Sequence, residues 1–118
     1  MMMTMMQRLK PGARAITRLL LAACATSALA GPVADRVQSQ SVLRVCVWPD
    51  YYGVTFRHPR TQQLGGIDIV LSGELARDLK ARVEYVDSSF PTLIDDLNQD
   101  RCDVAMFAIG MLPQRMEK

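Results

Sequence analysis

The sequence predicts an α/β fold built on a parallel sheet with flanking helices, and three observations lead there. A nearly continuous apolar run, Val42 to Trp48, closes at Pro49-Asp50, as a buried strand ending in a turn does. Leu71, Leu75 and Leu79 then recur at helical spacing within Asp68 to Ala81, giving one apolar stripe. Further on, an alternating β-rich stretch, Arg82 to Val86, is followed by a second helical pattern and a second apolar run, Asp103 to Ile109. Strands alternating with helices favour parallel pairing through right-handed crossovers. In such a sheet ligands bind beyond the carboxyl ends of the strands, where the strand order reverses.

The start of the chain reads differently. Residues 1–18 hold Arg8, Lys10, Arg14 and Arg18 and no acid, and an apolar run from Leu19 to Ala25 follows. Ala28-Leu29-Ala30 then precedes Gly31-Pro32. A basic stretch, a short apolar core and an Ala-x-Ala end fit a secretory signal peptide over residues 1–30, cut after Ala30, and hence an exported protein. The apolar run falls far short of the ~18–20 residues that span a bilayer. The bland alternative is an amphipathic or buried helix. Leu21-Ala22-Ala23-Cys24 also has the form of a lipobox, whose Cys24 would carry a lipid anchor. The few residues between Arg18 and Cys24 make a short apolar core, so simple cleavage is preferred.

All of the chain's +2 formal charge comes from that leader. Of 14 basic and 12 acidic residues, four basic ones lie in residues 1–30, so residues 31–118 are net negative. This excludes a nucleic-acid surface, which needs a clustered basic patch. No later segment is long and apolar enough to span a membrane. Residues 31–118 make one small domain of marginal stability. Cys46 and Cys102 remain after the leader. In an oxidising compartment they are a candidate disulfide; otherwise they are two small apolar side chains in strands. Two Cys, one His and no ligand-like spacing argue against a metal site, and no cofactor motif occurs.

The remaining elements follow in order. Residues 31–41 are polar without periodicity and read as a flexible leader. Val54–Arg57 and Gln63–Gly65 are short strand candidates, with His58-Pro59-Arg60-Thr61 turning between them. Asp68 follows Gly65-Gly66-Ile67 and is placed to cap the helix it opens. Gly73 weakens that helix by about 1 kcal/mol relative to Ala. Ser88 or Ser89 caps the next helix, with Pro91 in its first turn and Leu93, Ile94 and Leu97 on its buried face. Pro113-Gln114-Arg115 opens another.

Arg115 is the sharpest polar candidate. An arginine in a helix's first turn, beside unpaired backbone N–H groups, makes a natural carboxylate site; the plainer reading is a solvated helix arginine. Tyr51, Tyr52 and Phe90 are apolar candidates for sandwiching a small ligand, or for plugging the rim of a small domain. Trp48 shares that ambiguity. His58 reads as a solvated loop residue. Asp95-Asp96 point about 100° apart on a helix and read as surface charges, not an acid/base pair. No nucleophile–base pattern, phosphate loop or zinc motif occurs, so the chain reads as a binding module and not an enzyme.

From Leu43 to Lys118 the chain resembles the family 3 extracellular solute-binding proteins, the periplasmic receptors of polar amino-acid ABC importers. Leu43-Arg44-Val45, Gly66-Ile67-Asp68, Ser89-Phe90-x-x-Leu93-Ile94-x-x-Leu97, Cys102-Asp103-Val104 and Pro113-Gln114-Arg115 occur in the family's order and spacing. The resemblance implies that residues 42–118 are an incomplete first lobe of a type II periplasmic-binding-protein (Venus-flytrap) fold. It implies a small-molecule solute, an amino acid or other carboxylate, handed to an ABC transporter permease. Tyr51 matches the aromatic that packs on the ligand, Phe90 a pocket-lining position, and Arg115 the arginine that grips the α-carboxylate. Ahead of that arginine, the family's hydroxyls and glycine are replaced by Phe107, Ala108 and Gly110, leaving backbone N–H groups at Ala108 and Gly110 as contacts. That departure favours a carboxylate-bearing or more apolar solute as much as a polar amino acid. One open half-site is expected to bind in the millimolar range at best, because micromolar affinity requires about 8 kcal/mol. Three alternatives stand beside this reading: a cyclohexadienyl-dehydratase-like enzyme on the same fold, a sensor's ligand-binding domain, and a non-functional truncated product.

Overall fold

The computed structural model describes residues 31–117. The expected signal peptide and the lipobox at Cys24 lie outside the described residues. Ten elements follow in order: α1 (Pro32–Gln40), β1 (Val42–Val47), β2 (Asp50–Tyr51), β3 (Thr55–Arg57), β4 (Leu64–Gly65), α2 (Ile67–Asp78), β5 (Arg82–Asp87), α3 (Leu93–Asn98), β6 (Val104–Ala105) and α4 (Pro113–Met116).

The central sheet is parallel, with strand order β5-β1-β6. β1 is its middle strand and pairs with β5 along its full length, Val42 opposite Arg82 and Val47 opposite Asp87. Successive side chains on a strand face opposite ways. Leu43, Val45 and Val47 therefore share one face, and all three are buried in a core with Val37 and Ala76. Cys46 lies on the other face, bonded to Cys102 with Cα atoms 5.6 Å apart. Both cysteines are buried. β2, β3 and β4 form a separate antiparallel sheet.

Several expectations are corrected. Residues 31–41 are not a flexible leader, since Pro32–Gln40 is helical. Pro32 suits the first helical position, Val37 is buried in the core, and Arg36 pairs with the buried Asp103 carboxylate. Apolar periodicity was absent because only one residue of this helix goes inside.

The Leu71-Leu75-Leu79 stripe is not the buried face of α2 either. Leu71 and Leu79 are exposed, while Ser72 and Ala76 are buried, with Ile69 and Leu75 partly so. The Ser72 hydroxyl is satisfied there by the Ile69 carbonyl and the Tyr85 hydroxyl, so a polar residue replaces leucine at the interface. The third central strand is shorter than Asp103–Ile109. Only Val104–Ala105 joins the ladder, extended by the Met106 N–H donating to the Cys46 carbonyl at 2.9 Å. The run then breaks at Ala108, which takes a left-handed φ of 52°.

Asp103 joins three elements. Its carboxylate accepts from the Arg44 backbone N–H at 2.7 Å and the Arg44 guanidinium at 2.9 Å, and pairs with Arg36 of α1. Burial is the largest single influence and pushes the Asp103 carboxyl up, but the hydrogen bonds from Arg44 and Arg36 outweigh it and hold it below the usual range. The same bond to Asp103 raises the Arg44 guanidinium.

Candidate functional site

Three strand ends build one aromatic wall. β1 runs directly into Trp48, and Pro49 leads to β2 carrying Tyr51. The buried Thr55 hydroxyl donates to the Trp48 carbonyl at 2.6 Å and fixes this turn. After β5, the N–H groups of Thr92 and Leu93 donate to the Ser89 carbonyl at 3.2 and 2.9 Å, and the turn so formed presents Phe90. β6 delivers Phe107, which is fully buried. Trp48 meets Tyr51 and Phe90 at ring-centroid distances of 5.4 Å each, Tyr51 meets Phe90 at 6.2 Å, and Phe90 meets Phe107 at 5.0 Å. All four contacts are tilted or edge-on, the arrangements that ring quadrupoles favour.

Arg115 closes the wall. Its guanidinium carbon lies 5.3 Å from the Phe90 ring centroid, within cation–π range. Its Nη1 donates to the Gly110 carbonyl at 2.9 Å. The helix it sits in, α4, is a single turn of four residues. Dipole support from that short helix is slight, so attraction for an anion rests on the guanidinium itself.

The loop between β6 and α4 is held from a distance. The Ala108 N–H donates to Asp68 Oδ2 at 2.6 Å. Asp68 does not cap its own helix, whose N-cap position is Gly66 and which has no side-chain cap. The backbone N–H expected to be open at Ala108 is taken by this carboxylate. A left-handed alanine costs on the order of 1–2 kcal/mol, and a charge-assisted hydrogen bond is of a size to offset it.

The turn bearing Phe90 is fastened from below by Asp96, which is buried and not a surface charge; only Asp95 is exposed. Asp96 accepts from the Ser88 hydroxyl at 2.6 Å, the Thr92 hydroxyl at 3.1 Å and the Arg101 guanidinium. The Ser88 bond chiefly holds the Asp96 carboxyl below the usual carboxylate range; burial opposes the shift, and Thr92 and Arg101 add to it. Neither Ser88 nor Ser89 caps α3, whose N-cap position is Thr92.

Of the residues predicted from sequence, Tyr51, Phe90 and Arg115 converge, and Gly110 joins them through its carbonyl. Ala108 is tied to Asp68. Tyr52 stands apart: it is 82% exposed, and its ring contact is with Phe56 at 5.3 Å. His58 is exposed, and its Nδ1 accepts from the N–H groups of Arg60 and Thr61, a turn role. Asp68, read from the sequence as a helix cap, is instead the partner of the Ala108 N–H, and Gly66 two residues earlier marks a tight backbone approach at this helix start. An apolar groove of about 390 Å³ runs between α3, β6 and α4, lined by Leu93, Leu97, Val104, Ile109, Met111 and Arg115. It touches none of Trp48, Tyr51 and Phe90, and Arg115 and Asp103 are the charged residues in an otherwise mostly apolar lining. Arg115 borders both this groove and the aromatic wall, and the candidate site lies on the side where Trp48, Tyr51 and Phe90 stand beside it. Among the described residues no group of three His, Cys, Asp or Glu is placed to hold a metal ion.

The family model of the bacterial extracellular solute-binding proteins, family 3, matches residues 43–118. The chain belongs to this family. It is 34% identical over 86 residues to the cyclohexadienyl dehydratase of Pseudomonas aeruginosa, covering 71% of this chain and 31% of that protein. It is 32% identical over 104 residues to a probable amino-acid ABC transporter-binding protein of Haemophilus influenzae, covering 86% of this chain and 40% of that one. Among solved structures, an ancestral cationic amino-acid solute-binding protein superposes with a TM-score of 0.69 at 29% identity, covering 72% of this chain and 37% of the other. The chain spans between about a third and two fifths of the length of these relatives. Its fold is that part of the family's type II periplasmic-binding architecture, an α/β lobe with a parallel sheet.

Proposed function

We propose that this lobe binds a small solute, an amino acid or another carboxylate, for delivery to an ABC importer. The observation that carries the reading is the convergence of Tyr51, Phe90 and Arg115 from three separate strand ends onto one surface. A guanidinium offers forked donors to a carboxylate, and aromatic faces hold the remainder of a small solute. Phe107, Ala108 and Gly110 bring no hydroxyl to the site, which favours a solute with an apolar or aromatic body. Export behind a signal peptide cut after Ala30, and a permease as partner, belong to the same proposal. Titration calorimetry of the natively exported protein against the twenty amino acids and simple dicarboxylates tests it. Where an opposing lobe completes the site, at least one should bind at about 10 μM or tighter, roughly 7 kcal/mol, against millimolar at best for residues 31–118 alone; no binding by any of them overturns the reading.

The similarity to a cyclohexadienyl dehydratase supports a second reading, an enzyme on the same fold. Incubation with prephenate or arogenate separates the two. Product formation assigns the enzyme, and amino-acid binding without turnover assigns the receptor.

A further inference from the structure

We infer that Asp68 is a positioning residue of the solute site proposed above, on which this inference rests: its carboxylate holds Ala108 in the turn that sets the arginine-bearing loop against the aromatic wall. The position of Asp68 is fixed by backbone, independently of its side chain. Gly66 adopts φ 121°, and a Cβ there would stand 2.3 Å from the Val54 carbonyl oxygen, so only glycine passes. The helix start is then tied to the turn before β3, with the Ile67 N–H donating to Gly53 at 3.0 Å and the Asp68 N–H to Val54 at 3.1 Å.

The side chain is thereby free of local capping and reaches a partner far along the chain. Its Oδ2 accepts the Ala108 N–H at 2.6 Å. Ala108 is a non-glycine residue at φ 52°, a conformation that persists where surroundings impose it and that clusters at functional sites. Two residues later the Gly110 carbonyl accepts from Arg115. A continuous line runs from Gly66 through Asp68 and Ala108 to the guanidinium that faces Phe90. The last ladder bond of β6 is the one from the Met106 N–H, so the Asp68 bond at Ala108 adds nothing to strand pairing. What it fixes is the loop at the sheet's carboxyl end.

The test compares the complete gene product with Asp68→Ala, Asp68→Asn and the double variant Asp68→Ala/Ala108→Gly. Calorimetry is run with the tightest-binding amino acid of the panel, alongside melting temperatures and the exchange rate of the Ala108 amide. Asp68→Ala should weaken binding by roughly tenfold or more, the scale of one charge-assisted hydrogen bond. Asp68→Asn keeps an acceptor oxygen and should restore most of the affinity. The double variant should also recover, because glycine adopts the left-handed turn without help. Melting temperatures should stay close across the set. Wild-type affinity in Asp68→Ala, or a double variant as weak as Asp68→Ala, overturns the inference. If wild type binds no amino acid, the functional reading fails, and the Ala108 amide still decides this one. Slow exchange in wild type with fast exchange in Asp68→Ala upholds the positioning, and fast exchange in both overturns it.

Discussion

The Arg115 guanidinium carbon stands 5.3 Å from the centre of the Phe90 ring, while its Nη1 donates to the Gly110 carbonyl at 2.9 Å. The ring and the carbonyl together orient the fork, and Gly110 uses only one of the five N–H donors a guanidinium carries. An arginine held this way is prepared to receive a carboxylate, with part of its side-chain entropy already lost before ligand arrives.

Replacing it should therefore weaken binding far more than it alters stability. A charge-assisted hydrogen bond contributes about 1.5–3 kcal/mol, so Arg115→Ala should raise the dissociation constant for an amino acid roughly 10- to 150-fold. Arg115→Lys keeps the charge but loses the planar fork and the stacking on Phe90, and should fall between the two. Calorimetry on the complete gene product gives the order. Unchanged affinity in Arg115→Ala would remove Arg115 from the site.

Asp103 makes a different kind of contribution, to the assembly of the lobe. Its side chain is 2% exposed, whereas those of Arg36 and Arg44 are about a quarter exposed. Removing the carboxylate strands two guanidiniums that water reaches only in part. Asp103→Ala should cost about 3 kcal/mol, the low end for breaking a buried pair because of that partial exposure. Urea unfolding followed by far-UV circular dichroism measures it. Loss of α1 anchoring should also speed amide exchange at Arg36 and Val37 relative to β1.

A pH series isolates Asp96. Its folded pKa is depressed, first by the Ser88 hydroxyl and then by Thr92 and Arg101. A depressed carboxylate contributes stability that is present above its unfolded pKa, about 3.9, and is lost as pH falls through the folded value. Asp96→Asn should accordingly be less stable than wild type at pH 7. The gap should narrow on acidification below about pH 4, as wild type becomes protonated too. Urea midpoints at pH 7, 5, 4 and 3 test this, and a gap that stays constant to pH 3 would contradict it.

Which parts were legible in sequence follows from the range of the interactions involved. β1 and β5 announce themselves because burial on a strand leaves an apolar run or an alternation that neighbours alone reveal. Tyr51, Phe90 and Arg115 were legible for another reason: each lies in the segment that follows the carboxyl end of a central strand, β1, β5 and β6 in turn, and the parallel topology brings those ends together. Pro32–Gln40 was illegible as a helix because its anchor is an ion pair from Arg36 to Asp103, far along the chain, with Val37 as its one buried residue. Asp68 read as a local cap because its true partner, Ala108, lies 40 residues away. For Asp96 the correct angular argument led to the wrong conclusion. Two adjacent helical residues do point apart, and here that means one faces solvent while the other faces Ser88 and Thr92.

The Cys46–Cys102 bond bears on all of this, since it joins the middle strand to the segment entering β6. The two residues lie 56 apart in sequence, and the loop they close holds the antiparallel sheet, α2, β5 and α3. In the chain-entropy model, closing a loop of that length restricts the unfolded chain by about 4 kcal/mol. A small lobe buries a modest fraction of its surface and has little stability to spare, so this is a large share of the total. The alternative, two thiols packed as small apolar groups, contributes only on the scale of their burial, about 1 kcal/mol. Adding reductant to the exported protein should therefore lower its unfolding free energy by about 3–4 kcal/mol, and Cys46→Ala/Cys102→Ala should reproduce the loss and be insensitive to reductant. Urea midpoints with and without dithiothreitol measure both. Equal midpoints for the wild-type protein in the two conditions, with two titratable thiols in the denatured chain, would show that the pair packs without bonding.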